Sequence, residues 1–201
     1  MTQPSRREFL RAGGLALAGF GLVPERWAPA AGLLSAAPRT AAAPELIEMR
    51  SDPLGSRVWF DPIGLYVEPG TAVRWTVREN VHTTTAYHPD NDHHPLRIPE
   101  GATPWDSGFL VNPGDHFEVT LVVPGVYDYY CMPHEAAGMV GRIVVGKPVG
   151  PGGPGAQRFD YWEGKPGTDG WRHVPEAARQ TFPSVARILA DGRVHPAEPR
   201  R

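Results

Sequence analysis

The sequence predicts an all-β fold, two sheets packed as a sandwich or barrel. Three observations carry this: short alternating strands recur from 45 to 146, Pro-Gly turns bracket them, and no helical stretch lies between them. Composition agrees. Proline and glycine stand at 23 each in 201 residues, which suits strands joined by tight turns better than long helices. That length gives one domain of ordinary size plus appendages.

The first clear strand is "AVRWTV", where Val73, Trp75 and Val77 alternate with Ala72, Arg74 and Thr76. That period of two belongs to a half-buried strand, and "EPGT" at 68–71 supplies the turn before it. A second turn, "NPGD" at 112–115, opens "HFEVTLVV". Its Phe117, Val119 and Leu121 share one face, with His116, Glu118 and Thr120 on the other. Pro124-Gly125 then leads into "VYDYYC", which reads as a hairpin with the preceding strand. "GRIVVG" at 141–146 is a short buried strand. Between Tyr87 and Asp106 the pattern breaks into "HPDNDHHPLRIPEGATPW", a polar, proline-rich loop with one short helical turn. Beyond Lys147, "PVGPGGPG" is a linker by composition. The tail "VPEAARQTFPSVARILADG" reads as two short helices broken at Pro183, with Gly192 as the stop. Phe182, Val185, Ile188 and Leu189 are its expected contacts with the barrel surface.

The N-terminal segment reads as an export signal. "SRREFLRAGG" places Arg6-Arg7 before Phe9-Leu10, and a mildly apolar run follows from Ala12 to Val23, too short to cross about 30 Å of hydrocarbon. The paired arginines resemble the twin-arginine signal. An A-x-A cleavage site lies near Ala41 to Ala43 or earlier near Ser35 to Ala37, and an uncleaved segment would serve as a membrane tether. Up to Ala43 this segment holds five arginines against two glutamates, so the formal charge of −2 for the whole chain becomes −5 for the remainder. No basic patch with interleaved aromatics occurs, which argues against nucleic acid as a partner. The resulting division is 1–43 signal and linker, 44–146 main domain, and 147–201 linker and helical tail.

An exported protein normally pairs its cysteines, yet Cys131 is the single cysteine here. It heads C-x2-H-x4-M, with His134 and Met139 following in "YYCMPHEAAGMVGRIVV". Thiolate and thioether are soft donors and imidazole is intermediate, a set that favours copper. Two histidines and a cysteine in a plane, with a weak axial methionine, describe a blue-copper electron-transfer site. The missing histidine is best supplied by His82, just after the "AVRWTV" strand and the "RENV" turn; His88, beside Pro89, is the rival.

The stretch "GVYDYYCMPHEAAGMVGRIVV" closely resembles the C-terminal hairpin of the small cupredoxins, the plastocyanins, pseudoazurins and halocyanins. The resemblance continues upstream through "VWFDPIGLYVEPGTAVRWTVRENVHTTT" and covers roughly 45–146. It implies a Greek-key sandwich holding one type 1 copper, with His82, Cys131, His134 and Met139 as ligands. It also implies single-electron transfer rather than catalysis, with redox partners docking near His134 and Tyr130 on the electron route. Glu135 is expected to add a surface charge favouring a cationic partner. Where the family has asparagine after the first histidine, this chain has Thr83, whose hydroxyl can make one comparable bond.

Two other classes bear on the same residues. A copper carrier or store would use exposed, exchangeable donors, and His88, His93 and His94 give it footing, although such a cluster among Asp90, Asp92 and prolines is more often solvated surface. A copper enzyme such as a nitrite reductase needs a second catalytic copper, and the chain offers one cupredoxin-like domain and no second Cys-His loop.

Overall fold

The computed structural model describes residues 42–147 and 172–197. The export signal, its earlier cleavage site and the linker 148–171 lie outside them. Among the described residues no helix is long and apolar enough to cross a membrane.

Among the described residues, nine strands form two sheets. The first runs β2 (Val58–Asp61), β1 (Glu45–Ser51), β4 (Thr71–Val77), β6 (His116–Leu121). The second runs β5 (Thr85–Ala86), β7 (Gly125–Tyr130), β8 (Val140–Val145), β3 (Gly64–Val67), β9 (Arg193–Val194). Parallel pairing of β1 with β4 and of β3 with β8 forces chain crossings between the sheets, the wiring of a Greek-key sandwich. Alternation does what the sequence asks: Val73, Trp75 and Val77 on β4 are fully buried, facing Phe60, Tyr129 and Ile143 in one core.

The expected hairpin across Pro124-Gly125 does not form. β6 pairs with β4 and β7 with β5 and β8, so this turn carries the chain from one sheet to the other. The reason lies in burial. β6 alternates and needs one covered face, whereas every residue of β7 is buried, which only the middle of a sheet covered on both sides provides.

The tail supplies that second cover. α1 (Glu176–Thr181) and α2 (Val185–Asp191) are separated at Pro183, and Ser184 caps α2 by accepting from the Arg187 amide. Ile188 packs with Ile63, Val126, Val144 and Val194, and Val174 and Ala178 pack with Tyr87, Tyr130 and Val140. Full burial of a side chain such as Ile188 contributes about 1.5–3 kcal/mol. Leu189, expected in this contact, is 45% exposed, because the helical period that buries Ile188 turns its neighbour outward. The 88–105 loop contains successive turns over 89–93 and no helix.

Candidate metal centre

The two sheets meet at one end of the sandwich, and there the chain assembles its donors. His82 lies between β4 and β5, held by reciprocal backbone bonds with Leu110, its N–H donating at 3.1 Å and its carbonyl accepting at 2.9 Å. Cys131 follows β7 directly, and its N–H donates to the Met139 carbonyl at 3.0 Å. Between them the chain folds into a short 3-10 helix, Met132–Ala137, with a proline in its first turn. Gly138 closes that helix at φ 82°, a left-handed conformation suited to glycine.

This closure brings donors separated by 49 positions in sequence into one group. Cys131 Sγ lies 3.7 Å from His82 Nδ1 and 3.4 Å from His134 Nδ1. A first-row ion about 2.0–2.3 Å from nitrogen and sulfur in a trigonal plane separates them by about 3.7 Å, so the three atoms stand at ligand spacing. Met139 is fully buried in the same cluster as Cys131, and its N–H donates to the His134 carbonyl at 3.1 Å. A thiol, two imidazoles and a neighbouring thioether fit copper. Among the described residues, this is the group of three or more His, Cys, Asp or Glu side chains close enough to share a metal ion.

The surroundings orient these donors. Ser51 Oγ lies 3.3 Å from His82 Nε2, a contact that, with Nε2 protonated, leaves the Nδ1 lone pair facing Cys131. The Thr83 N–H points at Cys131 Sγ at 3.3 Å, and Thr83 Oγ1 accepts from the Met132 N–H at 2.7 Å. Thr83 therefore ties the cysteine loop to the His82 segment, as its hydroxyl allowed. Burial lowers the pKa of His82 to about 4, with nearby His134 adding to the effect, and burial also lowers that of His134. Burial pushes the Cys131 thiol up to about 11 against the Thr83 bonds, so without a metal ion the pocket holds a neutral thiol and neutral imidazoles.

His134 is partly exposed whereas His82 is not, and Met132 and Pro133 beside it face solvent. Phe109 and Val111, flanking the His82-bridged Leu110, are 60% and 54% exposed. Two expectations are corrected. Glu135 is no surface charge: it is 3% exposed, and its carboxylate accepts from Tyr87 Oη. His94 is not solvated surface either, being fully buried against Glu135 and Tyr130, while His88 and His93 stay at the loop surface. Ser51, Tyr87, His94 and the inward turn of Glu135 were not readable from spacing. The buried site of Glu135 had one weak signal, its place between two ligand candidates.

Comparison with known proteins agrees with this geometry. The family model "Copper binding proteins, plastocyanin/azurin family" matches residues 48–146. The chain is 31% identical over 116 residues to plastocyanin from Prochlorothrix hollandica, covering 56% of this chain and 80% of that protein. It is 57% identical over 37 residues to chloroplastic plastocyanin from Hordeum vulgare, a match spanning 18% of this chain and 24% of the barley protein. Among solved structures it is similar to a pseudoazurin from Sinorhizobium, with 31% identity, TM-score 0.41, and coverage of 52% of this chain and 74% of that one.

Proposed function

The chain belongs to the plastocyanin/azurin family of copper-binding proteins, and from that premise we propose that it is an extracytoplasmic carrier of single electrons. Its cofactor is one copper. In this reading His82, Cys131, His134 and Met139 would hold it. The observation that carries it is the Cys131 sulfur, buried and facing both imidazole Nδ1 atoms at 3.4 and 3.7 Å.

Bound there, copper supplies a one-electron couple between Cu(I) and Cu(II). The residues of the chain do the rest. Cys131 and His82 are sealed from water, Ser51 and the Thr83 amide hold their donor atoms in place, and the capped 3-10 helix fixes His134. A site held this firmly changes little on gaining or losing an electron, which permits fast transfer. His134 is the outlet, because it alone of the two imidazoles reaches the surface. With Glu135 turned inward, the exposed residues of its own loop, Met132, Pro133, Ala136 and Ala137, are all uncharged. That suits brief docking of a redox protein through an uncharged patch. The twin-arginine-like start supports export to the periplasm or cell surface.

Reconstitution with Cu(II) followed by a visible spectrum tests the assignment. An intense thiolate-to-copper band that vanishes in Cys131→Ala is expected, and a colourless Cu(II) protein would overturn it. The delivery reading drew on three histidines, of which the buried His94 offers no exchangeable donor. Rapid loss of copper to a weak chelator would nonetheless favour delivery over electron transfer.

A further inference from the structure

Glu135 lies within the 3-10 helix Met132–Ala137, immediately after His134 and four residues before Met139, yet its side chain points into the protein. Each carboxylate oxygen has its own partner. Tyr87 Oη donates to Oε1 at 2.7 Å, and His94 Nε2 lies 3.2 Å from Oε2. His94 is fixed in turn, with Nδ1 2.8 Å from the Asn91 carbonyl and 3.1 Å from the Tyr130 hydroxyl. Its ring lies against that of Tyr130 at 4.3 Å between centroids, and Tyr87 against Tyr130 at 4.6 Å. Val174 and Ala178 of the tail pack against Tyr87 and Tyr130.

Burying a carboxylate costs several kcal/mol unless hydrogen bonds offset it, so an acid here needs a reason beyond solubility. The backbone bonds of the loop, from His134 N to Cys131 O, Gly138 N to Glu135 O and Met139 N to His134 O, shape the turn internally. Thr83 ties its start to the rest of the molecule. Glu135 ties its middle, between the two outer ligand candidates.

We propose that Glu135 is a positioning residue for the metal: clamped by Tyr87 and His94, it fixes the short helix and with it the placement of His134 and Met139. This rests on reading those two residues as copper ligands. Partners of this outer kind typically alter metal affinity about 10- to 100-fold when removed.

The test compares the full-length wild type with Glu135→Ala, Glu135→Gln and Tyr87→Phe. Three readouts apply: the midpoint potential and visible band of the copper form, the rate of Cu(I) loss to an excess of a strong chelator, and amide hydrogen exchange across 132–139 in the copper-free protein. Expected for Glu135→Ala are copper loss about 10- to 100-fold faster, a shifted potential and faster exchange in the loop. Glu135→Gln, which keeps an acceptor for Tyr87, should recover part of each change, and Tyr87→Phe should show a smaller change in the same directions. Variants that only melt earlier, with potential, band and loop exchange as in the wild type, would overturn the proposal. If Glu135→Ala does not fold, the other two variants decide by the same measurements. If the wild type itself binds no copper, the ligand reading fails, and loop exchange in the copper-free chain alone decides whether the clamp exists.

Discussion

His82 must enter the folded protein neutral, and that requirement has a measurable consequence. Its pKa falls from an ordinary 6.5 to about 4 on folding, because burial and the nearby His134 disfavour the charged ring. Between those values the unfolded chain takes up a proton that the folded chain resists. Stability of the copper-free protein is therefore complete above about pH 6.5 and falls as pH drops toward 4, by up to about 3 kcal/mol. Urea titrations from pH 7 to 4 check this, and His82→Gln should flatten the slope. Cys131 acts at the other end: with its thiol raised to about 11, the copper-free fold loses stability as pH rises through about 9 to 11. Thr83 offers a second test at this scale. Thr83→Val keeps the shape but removes the acceptor of the Met132 N–H, a loss of about 1–3 kcal/mol by denaturant unfolding. That Thr83 would replace the family asparagine was legible from one hydroxyl at the right position. That Ser51 would reach His82 was not, because a contact 31 residues apart leaves no periodic trace.

Strands whose faces alternate were the legible elements. Val73, Trp75 and Val77 on β4, and Phe117, Val119 and Leu121 on β6, face the core as their period demands. β8 announced its burial but not its neighbours, the full burial of β7 with its Asp128 was not announced, and the short Pro-Gly turn before β7 suggested a hairpin that the sheets do not contain. What covers these strands is held by an ion cluster. Asp128 on β7 accepts from Arg97 Nε at 2.8 Å and from Arg142 Nε at 2.6 Å, while Arg142 Nη1 donates to the Pro183 carbonyl of the tail at 2.8 Å. Burial alone would raise Asp128, but Arg142 and Arg97 beside it bring its pKa below the usual value. Asp128→Asn takes the countercharge from two buried guanidiniums and should cost about 3–5 kcal/mol, read as a lower unfolding midpoint. Docking of α2 has a separate test in Gly64 on β3. A Cβ there would lie 2.8 Å from Ile188 Cγ1 and 2.9 Å from Pro183 Cγ, so Gly64→Ala should push the tail outward and cost about 1–3 kcal/mol.

At the scale of the whole molecule, the grouping of His82, Cys131 and His134 was the most legible part of the candidate site, since the latter two lie three residues apart and His82 follows a recognisable strand. The clamp behind it was hidden, because Glu135 meets Tyr87 and His94 across separations of 48 and 41 residues in an irregular loop. The role of the tail follows from the same geometry. It buries Tyr87, Tyr130 and Val140 on the outer face of the second sheet, and β9 pairs with the β3 edge through Gly64 and Leu65. Residues 44–146 alone would hold every ligand candidate, yet expose that apolar face and the open edge of β3. An open strand edge beside apolar surface is a template for association. A 44–146 fragment should therefore bind copper with the same type of visible band, unfold at lower denaturant than the full chain, and self-associate as its concentration rises in analytical ultracentrifugation. A fragment that stays monomeric and as stable as the full chain would instead make 147–201 an appendage with no part in the fold. The clamp adds a sharper expectation: without Val174 and Ala178 against Tyr87 and Tyr130, loop exchange at 132–139 should rise in the fragment toward that of Glu135→Ala, linking tail and metal loop in one measurement.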